Sequence, residues 1–295
     1  MTIEPLKSLG LIVIGAQKSG TSSLKSYLAQ HPDLFFHAKN EMVYFLPDEE
    51  YALGYNNAFR RYFSEYAGEE VLGAKYVDVL FSATALDRLY KHNPDVKIVM
   101  ILRNPVDRAY SAYWFCRRMG WERSRNVREA LLRPFDSSCR PLSTSWHCAY
   151  LARGNYHDQL TEVFTRFKEK QVSVFLFEEL QQDALGVCKQ IFKACGVDCE
   201  FSPDVSRIHN RARLSRSGTF SKLLIDPSQA KRRWRWLLPE QFRLKVKNIL
   251  FRLNTLEFEV PPIEHGLRKE LVDYFRPHND RLSRLLDRDL SDWTR

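Results

Sequence analysis

The sequence predicts an α/β fold in a single domain, with a central parallel sheet flanked by helices, and two observations carry that expectation. Short apolar runs recur at Leu11–Gly15 (LIVIG), Leu34–Phe36, Val71–Gly73, Val96–Leu102 (VKIVMIL) and Val172–Phe177 (VSVFLF). Between them, helical spacing is found over Tyr55–Tyr66, Ala83–His92, Pro105–Arg117, Tyr156–Glu169 and Leu185–Cys195, and Thr21–Gln30 carries it through Leu24, Tyr27 and Leu28. Strands that are apolar throughout are buried on both faces, and their alternation with helices is the pattern of a parallel sheet.

Past Phe201 the pattern changes. Residues 202–217 are polar and Arg-rich without a clear period, which reads as a lid or surface segment. The stretch 230–252 is basic and helical in pattern, with Trp234 and Trp236 inside KRRWRWLL. An amphipathic helix over Lys269–Asp287 follows, carrying Leu271, Tyr274, Phe275, Leu282 and Leu285. No repeat, low-complexity tract or long linker divides the chain. Residues 1–295 are therefore read as one domain, a core over 9–200 followed by the lid and C-terminal helices over 201–295.

With 44% hydrophobic residues the chain has ample material for a core, and disorder is not expected away from its ends. No stretch approaches the ~18 apolar residues of a membrane span, and Leu11–Ile14 is too short for a signal-peptide core, so a cytoplasmic protein is expected. The six cysteines form no CxxC pair; they read as reduced thiols, and no structural metal is expected. A net charge of +9 favours an anionic ligand or acceptor. Nucleic acid is not expected as a partner, whereas the basic 230–252 segment suits peripheral contact with an anionic surface, a polymer or a membrane interface. The competing reading is a solvated helix packed by its tryptophans. Oligomeric state is not legible.

The segment Gly15-Ala-Gln-Lys-Ser-Gly-Thr-Ser-Ser23 lies where a strand gives way to a helix, so unpaired N–H groups and the positive end of the helix dipole converge on one spot. Anionic oxygens bind at such a spot. Gly15 and Gly20 have Walker A spacing, but Thr21 stands where the lysine belongs and the lysine lies at position 18. The VKIVMIL strand ends in Arg103, where a magnesium-dependent phosphotransferase would carry an acidic metal ligand. Downstream, LRNPVDRAYSAYW sets Arg103 at a strand end, Pro105 at a helix start and Ser111 two turns in.

QKSGTSS resembles the 5′-phosphosulfate loop of sulfotransferases that use 3′-phosphoadenosine-5′-phosphosulfate (PAPS), and LRNPVDRAYSAYW resembles their 3′-phosphate site. The likeness continues through Gly154-Asn-Tyr156, VFLFEEL and YFRPHNDRLSRLLDRDLSDW, nearest to the heparan-sulfate-type and related bacterial branch. It implies a P-loop-kinase-like sulfotransferase fold, transfer of a sulfuryl group from PAPS, and release of PAP without a metal. It places Gln17, Lys18, Ser19, Gly20, Thr21, Ser22, Ser23, Arg103, Ser111 and Tyr156 on the donor, with Arg211 and Arg213 closing over it.

On the catalytic side the resemblance implies Lys18 at the bridging oxygen, Lys75 near the sulfate and Glu41 as the base. Lys75 departs from the family's surroundings, with Ala74 before it and Tyr76 and Val77 after it, and a surface lysine is the other reading. Glu41 sits in AKNEMVYF, where Asn40 replaces a family lysine; His37 is the competing base. Two further readings stay open, an ATP-dependent small-molecule kinase and a non-catalytic nucleotide- or polyanion-binding protein. The acceptor, whether a carbohydrate, lipid or small natural product and whether a hydroxyl or an amine, is not fixed by the sequence.

Overall fold

The computed structural model describes residues 6–206, 213–215, 255–257 and 260–294. In chain order the elements are β1 (Leu9–Gly15), α1 (Thr21–Leu28), β2 (Leu34–Phe36), α2 (Asp48–Ala52), α3 (Tyr55–Tyr62), β3 (Val71–Lys75), α4 (Ala83–His92), β4 (Lys97–Leu102) and α5 (Pro105–Met119). After them come α6 (Val127–Leu131), α7 (Thr144–His147), α8 (Tyr156–Phe164), β5 (Val172–Leu176), α9 (Phe177–Gln182), α10 (Ala184–Cys195), β6 (Arg213–Ser215), β7 (Thr255–Glu257) and α11 (His265–Leu286). The packing divides into two units. One takes the described residues up to Arg108, from Arg153 to 206 and from Leu271 onward; the other takes Ala109–Ala152 and the described residues from 213 to Glu270.

In the first unit β1 to β5 make one parallel sheet in the order β2-β3-β1-β4-β5. The apolar run of β1 explains its central place: Leu11, Ile12, Val13 and Ile14 are wholly buried, as a strand covered on both faces must be. Leu11 and Val13 join Leu24 and Leu28 of α1, Val99 and Ile101 of β4, and Ile191 and Phe192 of α10 in one hydrophobic cluster. That packing fixes α1 against the sheet, and with it the loop between β1 and α1. Parallel order and flanking helices bear out the α/β expectation.

The differences lie at element ends and in short helices. β5 stops at Leu176 because Phe177 opens α9, and the Glu179 carboxylate accepts from Leu176 N at 2.7 Å, drawing the chain into a helical turn. Asp183 caps α10 by accepting from Gly186 N, and Gly196, with φ 77°, ends it in the left-handed conformation. The helix starting at Tyr156 ends at Phe164, short of Glu169, where Phe167 turns inward and is buried.

In the second unit, β6 and β7 pair antiparallel, with Arg213 opposite Glu257. Glu122 is buried there and accepts from the Tyr150 hydroxyl at 3.2 Å and from Arg133 at 3.3 and 3.4 Å. Trp121 stacks on His147 with ring centroids 4.1 Å apart.

Candidate active site

The loop between β1 and α1 is tied to the sheet by Ala16 N, which donates to Ile101 O at 2.8 Å. Lys18, at φ 70°, and Gly20, at φ 83°, both take left-handed backbone, and Gly20 caps α1 without a side-chain hydrogen bond. The loop thus enters α1 at its N-terminus, where the first N–H groups of a helix and its dipole suit phosphate or sulfate oxygens. Ser19 Oγ fits the same use. It is fully buried and lies beside the Tyr156 hydroxyl.

Arg103 follows β4 and leans over this loop. Its Nη1 donates to Lys18 O at 3.2 Å, and the guanidinium lies 4.8 Å from the centre of the Phe177 ring. Beneath it, the Tyr156 hydroxyl donates to Arg103 O at 3.0 Å; burial pushes this phenol up to about 12. Tyr156 thus reaches the site through Arg103.

On the other side of α1, Lys75 ends β3 with its side chain 2% exposed. Its Nζ donates to Glu41 Oε1 at 2.6 Å and to Ser22 Oγ at 3.2 Å. Glu41 Oε2 accepts from Val77 N at 3.3 Å, and Met42 N donates to Lys75 O at 2.9 Å. Lys75 is thus no surface lysine: it joins the donor loop to the segment carrying Glu41. Burial raises the Glu41 carboxyl above its ordinary range, and the Lys75 charge opposes that rise.

His37 is enclosed, 1% exposed, with its ring edge-on to Tyr62 and Phe63. Its Nε2 accepts from Lys75 N at 3.4 Å. Burial, followed by the charges of Lys25 and Lys75, lowers this imidazole to about 3, so it is neutral near pH 7.

Sequence reasoning missed Lys25, which donates to His37 O at 2.6 Å and to Lys39 O. It also missed the buried pair of Arg153 and Asp78 at 2.6 Å, with Arg153 over the Phe81 ring. No spacing signal marks either, because each partner lies far along the chain. The structure brings Lys18, Ser22, Lys75, Glu41, Arg103 and Tyr156 into one connected site. Ser111 lies on the part of α5 that belongs to the second unit. Arg211 and the basic 230–252 segment lie outside the described residues, and Arg213 is described only as backbone in β6.

The family model for the sulfotransferase domain matches residues 10–217. The chain belongs to the sulfotransferase family. That match takes in the loop, Glu41, Lys75, Arg103 and Tyr156 together, and it bears out the expected resemblance. The chain is also similar to a crystallised sulfotransferase from Alicyclobacillus acidocaldarius, 29% identical, with a TM-score of 0.71 over 98% of this chain and 100% of that one. A bifunctional heparan sulfate N-deacetylase/N-sulfotransferase 1 from Mus musculus is 27% identical across 94% of this chain and 29% of its own length. A membrane-associated sulfotransferase, kil1, from Dictyostelium discoideum is 33% identical across 35% of this chain and 22% of its own. The chain thus spans less than a third of the length of these curated relatives. Among its described residues no helix is long and apolar enough to cross a membrane.

Proposed function

We propose that the site transfers the sulfuryl group of PAPS to a hydroxyl or amine of a carbohydrate, lipid or small natural-product acceptor and releases PAP. One observation carries the reading: the buried Lys75 ammonium touches both Ser22 Oγ of the donor loop and Glu41 Oε1. A cation placed between an anion-binding loop and a carboxylate serves a reaction in which a proton leaves the acceptor while negative charge grows on the donor's phosphate.

The loop N–H groups, with Thr21 and Ser22, hold the 5′-phosphosulfate, and Arg103 reads the 3′-phosphate. Glu41 takes the acceptor proton as the acceptor oxygen or nitrogen bonds to sulfur. The bond from sulfur to the phosphate oxygen breaks, and Lys18 meets the charge left there. His37 is enclosed, its Nε2 is already engaged, and burial makes it a weak base, which supports Glu41 in that role. The likeness to a heparan sulfate N-sulfotransferase makes that class of polysaccharide the first acceptor to try.

The test is donor binding followed by transfer. PAP should bind at micromolar concentration in EDTA and raise the melting temperature by mass action, while ATP with magnesium should bind far more weakly. Labelled PAPS, offered with N-desulfated heparin and a panel of lipids and phenols, then identifies the acceptor. Equal affinity for ATP, or an absolute magnesium requirement, defeats the assignment.

A further inference from the structure

We propose that Lys25 is a positioning residue for sulfuryl transfer: its ammonium, bonded to the His37 and Lys39 carbonyls, clamps the segment 37–41 onto α1 and keeps Glu41 aligned on Lys75. The inference rests on the reading of Glu41 as the base.

Lys25 stands four residues after Thr21 and three after Ser22, so it shares their face of α1, one turn below the donor loop. Residues 37–41 have neither helix nor strand conformation of their own. Two anchors bracket Glu41. Ahead of it, Lys25 Nζ donates to His37 O at 2.6 Å and to Lys39 O. Behind it, Met42 N donates to Lys75 O at 2.9 Å. Without Lys25 the first anchor is lost, and two carbonyls beside the site need new partners.

The clamp holds its place against electrostatic opposition. Lys75 from β3 repels the Lys25 ammonium, Glu41 attracts it, and Lys39 and the His37 ring lie on the clamped segment itself. Burial and Lys75 together lower Lys25 to about 8, so an ammonium is kept at neutral pH where desolvation disfavours it. A lysine serving only α1 would reach solvent. This one reaches across to the acceptor-side segment, linking the helix that holds the donor to the loop that carries the base.

The experiment separates donor binding from turnover. In Lys25→Met, PAP affinity should stay within about twofold while PAP release from PAPS falls roughly 10- to 100-fold, measured with N-desulfated heparin and with water alone as acceptor. Lys25→Arg, which keeps a charged pair of donors, should recover most of that loss. Amide hydrogen exchange in 37–41 should quicken in Lys25→Met and not at the N-terminus of α1. In the Glu41→Gln background Lys25→Met should cost less than about threefold more, because residues acting through one group are non-additive.

If Glu41→Gln alone keeps near-normal turnover, the base assignment falls. If Glu41→Gln is crippled but Lys25→Met costs its full factor in both backgrounds, Lys25 does not act through Glu41 and the inference is overturned. It is also overturned if PAP affinity drops as far as turnover, or if exchange in 37–41 is unchanged. Should Lys25→Met not fold, Lys25→Gln, with a shorter neutral donor, gives the same comparisons.

Discussion

Lys75 Nζ donates to Glu41 Oε1 at 2.6 Å from a side chain that is 2% exposed, although the two residues lie 34 positions apart. The pair sets the protonation of the proposed base. Burial already holds the Glu41 carboxyl above the usual carboxylate range, with Lys75 resisting. Lys75→Met removes that resistance, so the carboxyl rises further. The ionised form is the active one, and turnover falls as pH drops through its pKa; in Lys75→Met this fall moves to higher pH. Turnover at pH 7 should drop by roughly 10²-fold or more. A pH–rate profile whose acid limb is unmoved would uncouple the two residues.

Glu41→Gln keeps the shape of the side chain and removes its basicity. PAP affinity should be unchanged and turnover should fall by roughly 10²- to 10⁴-fold. His37→Gln should stay within about tenfold, below the general-base range, because the native ring is enclosed, engaged at Nε2 and made weakly basic by burial. Melting temperatures recorded beside the kinetics keep a folding defect from passing as a chemical one. An active Glu41→Gln with an inert His37→Gln would make the imidazole the base.

The two predictions draw on parts of the site that were unequally legible in the sequence. The strand-loop-helix from Leu9 to Leu28 was visible because its apolar run, its glycines and its lysine are contiguous. Ala83–His92 has the bounds its periodicity predicts. Glu41 and Lys75 stood out by likeness to a family pattern. Their contact did not, since a salt bridge between a loop and a strand end depends on the β2-β3 crossover and leaves no local period. Lys25 reads as an ordinary polar position on α1 until the fold lays residues 37–41 across it. Asp78 and Arg153 are 75 positions apart and meet only in the tertiary structure. Phe177 was read as the end of a strand because it is apolar; the Glu179 bond to Leu176 N turns it into a helix start.

Lys18→Ala tests where charge develops. Lys18 is proposed to meet the phosphate oxygen released from sulfur, and that charge is greatest in the transition state. Turnover should fall by roughly 10²- to 10³-fold with a much smaller loss of PAP affinity. Parallel losses in both would make Lys18 a binding residue only.

Gly20→Ala tests the loop itself. A Cβ there would lie 3.0 Å from both Leu180 and Phe177, on a residue with φ 83°. Left-handed backbone costs a non-glycine residue roughly 1–2 kcal/mol, and the contacts add to it. The melting temperature should fall, and PAP affinity should fall with it because the loop cannot relax without moving α1. A variant with native stability and native PAP affinity would mean that the loop tolerates another conformation.

Tyr156→Phe asks whether the phenol acts through Arg103. The ring is buried and its hydroxyl donates to Arg103 O at 3.0 Å, so the substitution keeps the packing and removes one hydrogen bond beneath the guanidinium. A bond of this kind is worth about 1 kcal/mol net, close to a fivefold change in affinity. Arg103 is proposed to read the 3′-phosphate, so the loss should depend on that group. PAP should bind several-fold more weakly, while adenosine 5′-phosphosulfate, which lacks the 3′-phosphate, should bind as it does to the native protein. Calorimetry with both ligands measures the difference directly. An equal loss for the two would place the effect on the donor loop, where Ser19 lies beside the same hydroxyl, and an absence of loss for either would leave Tyr156 with a packing role alone.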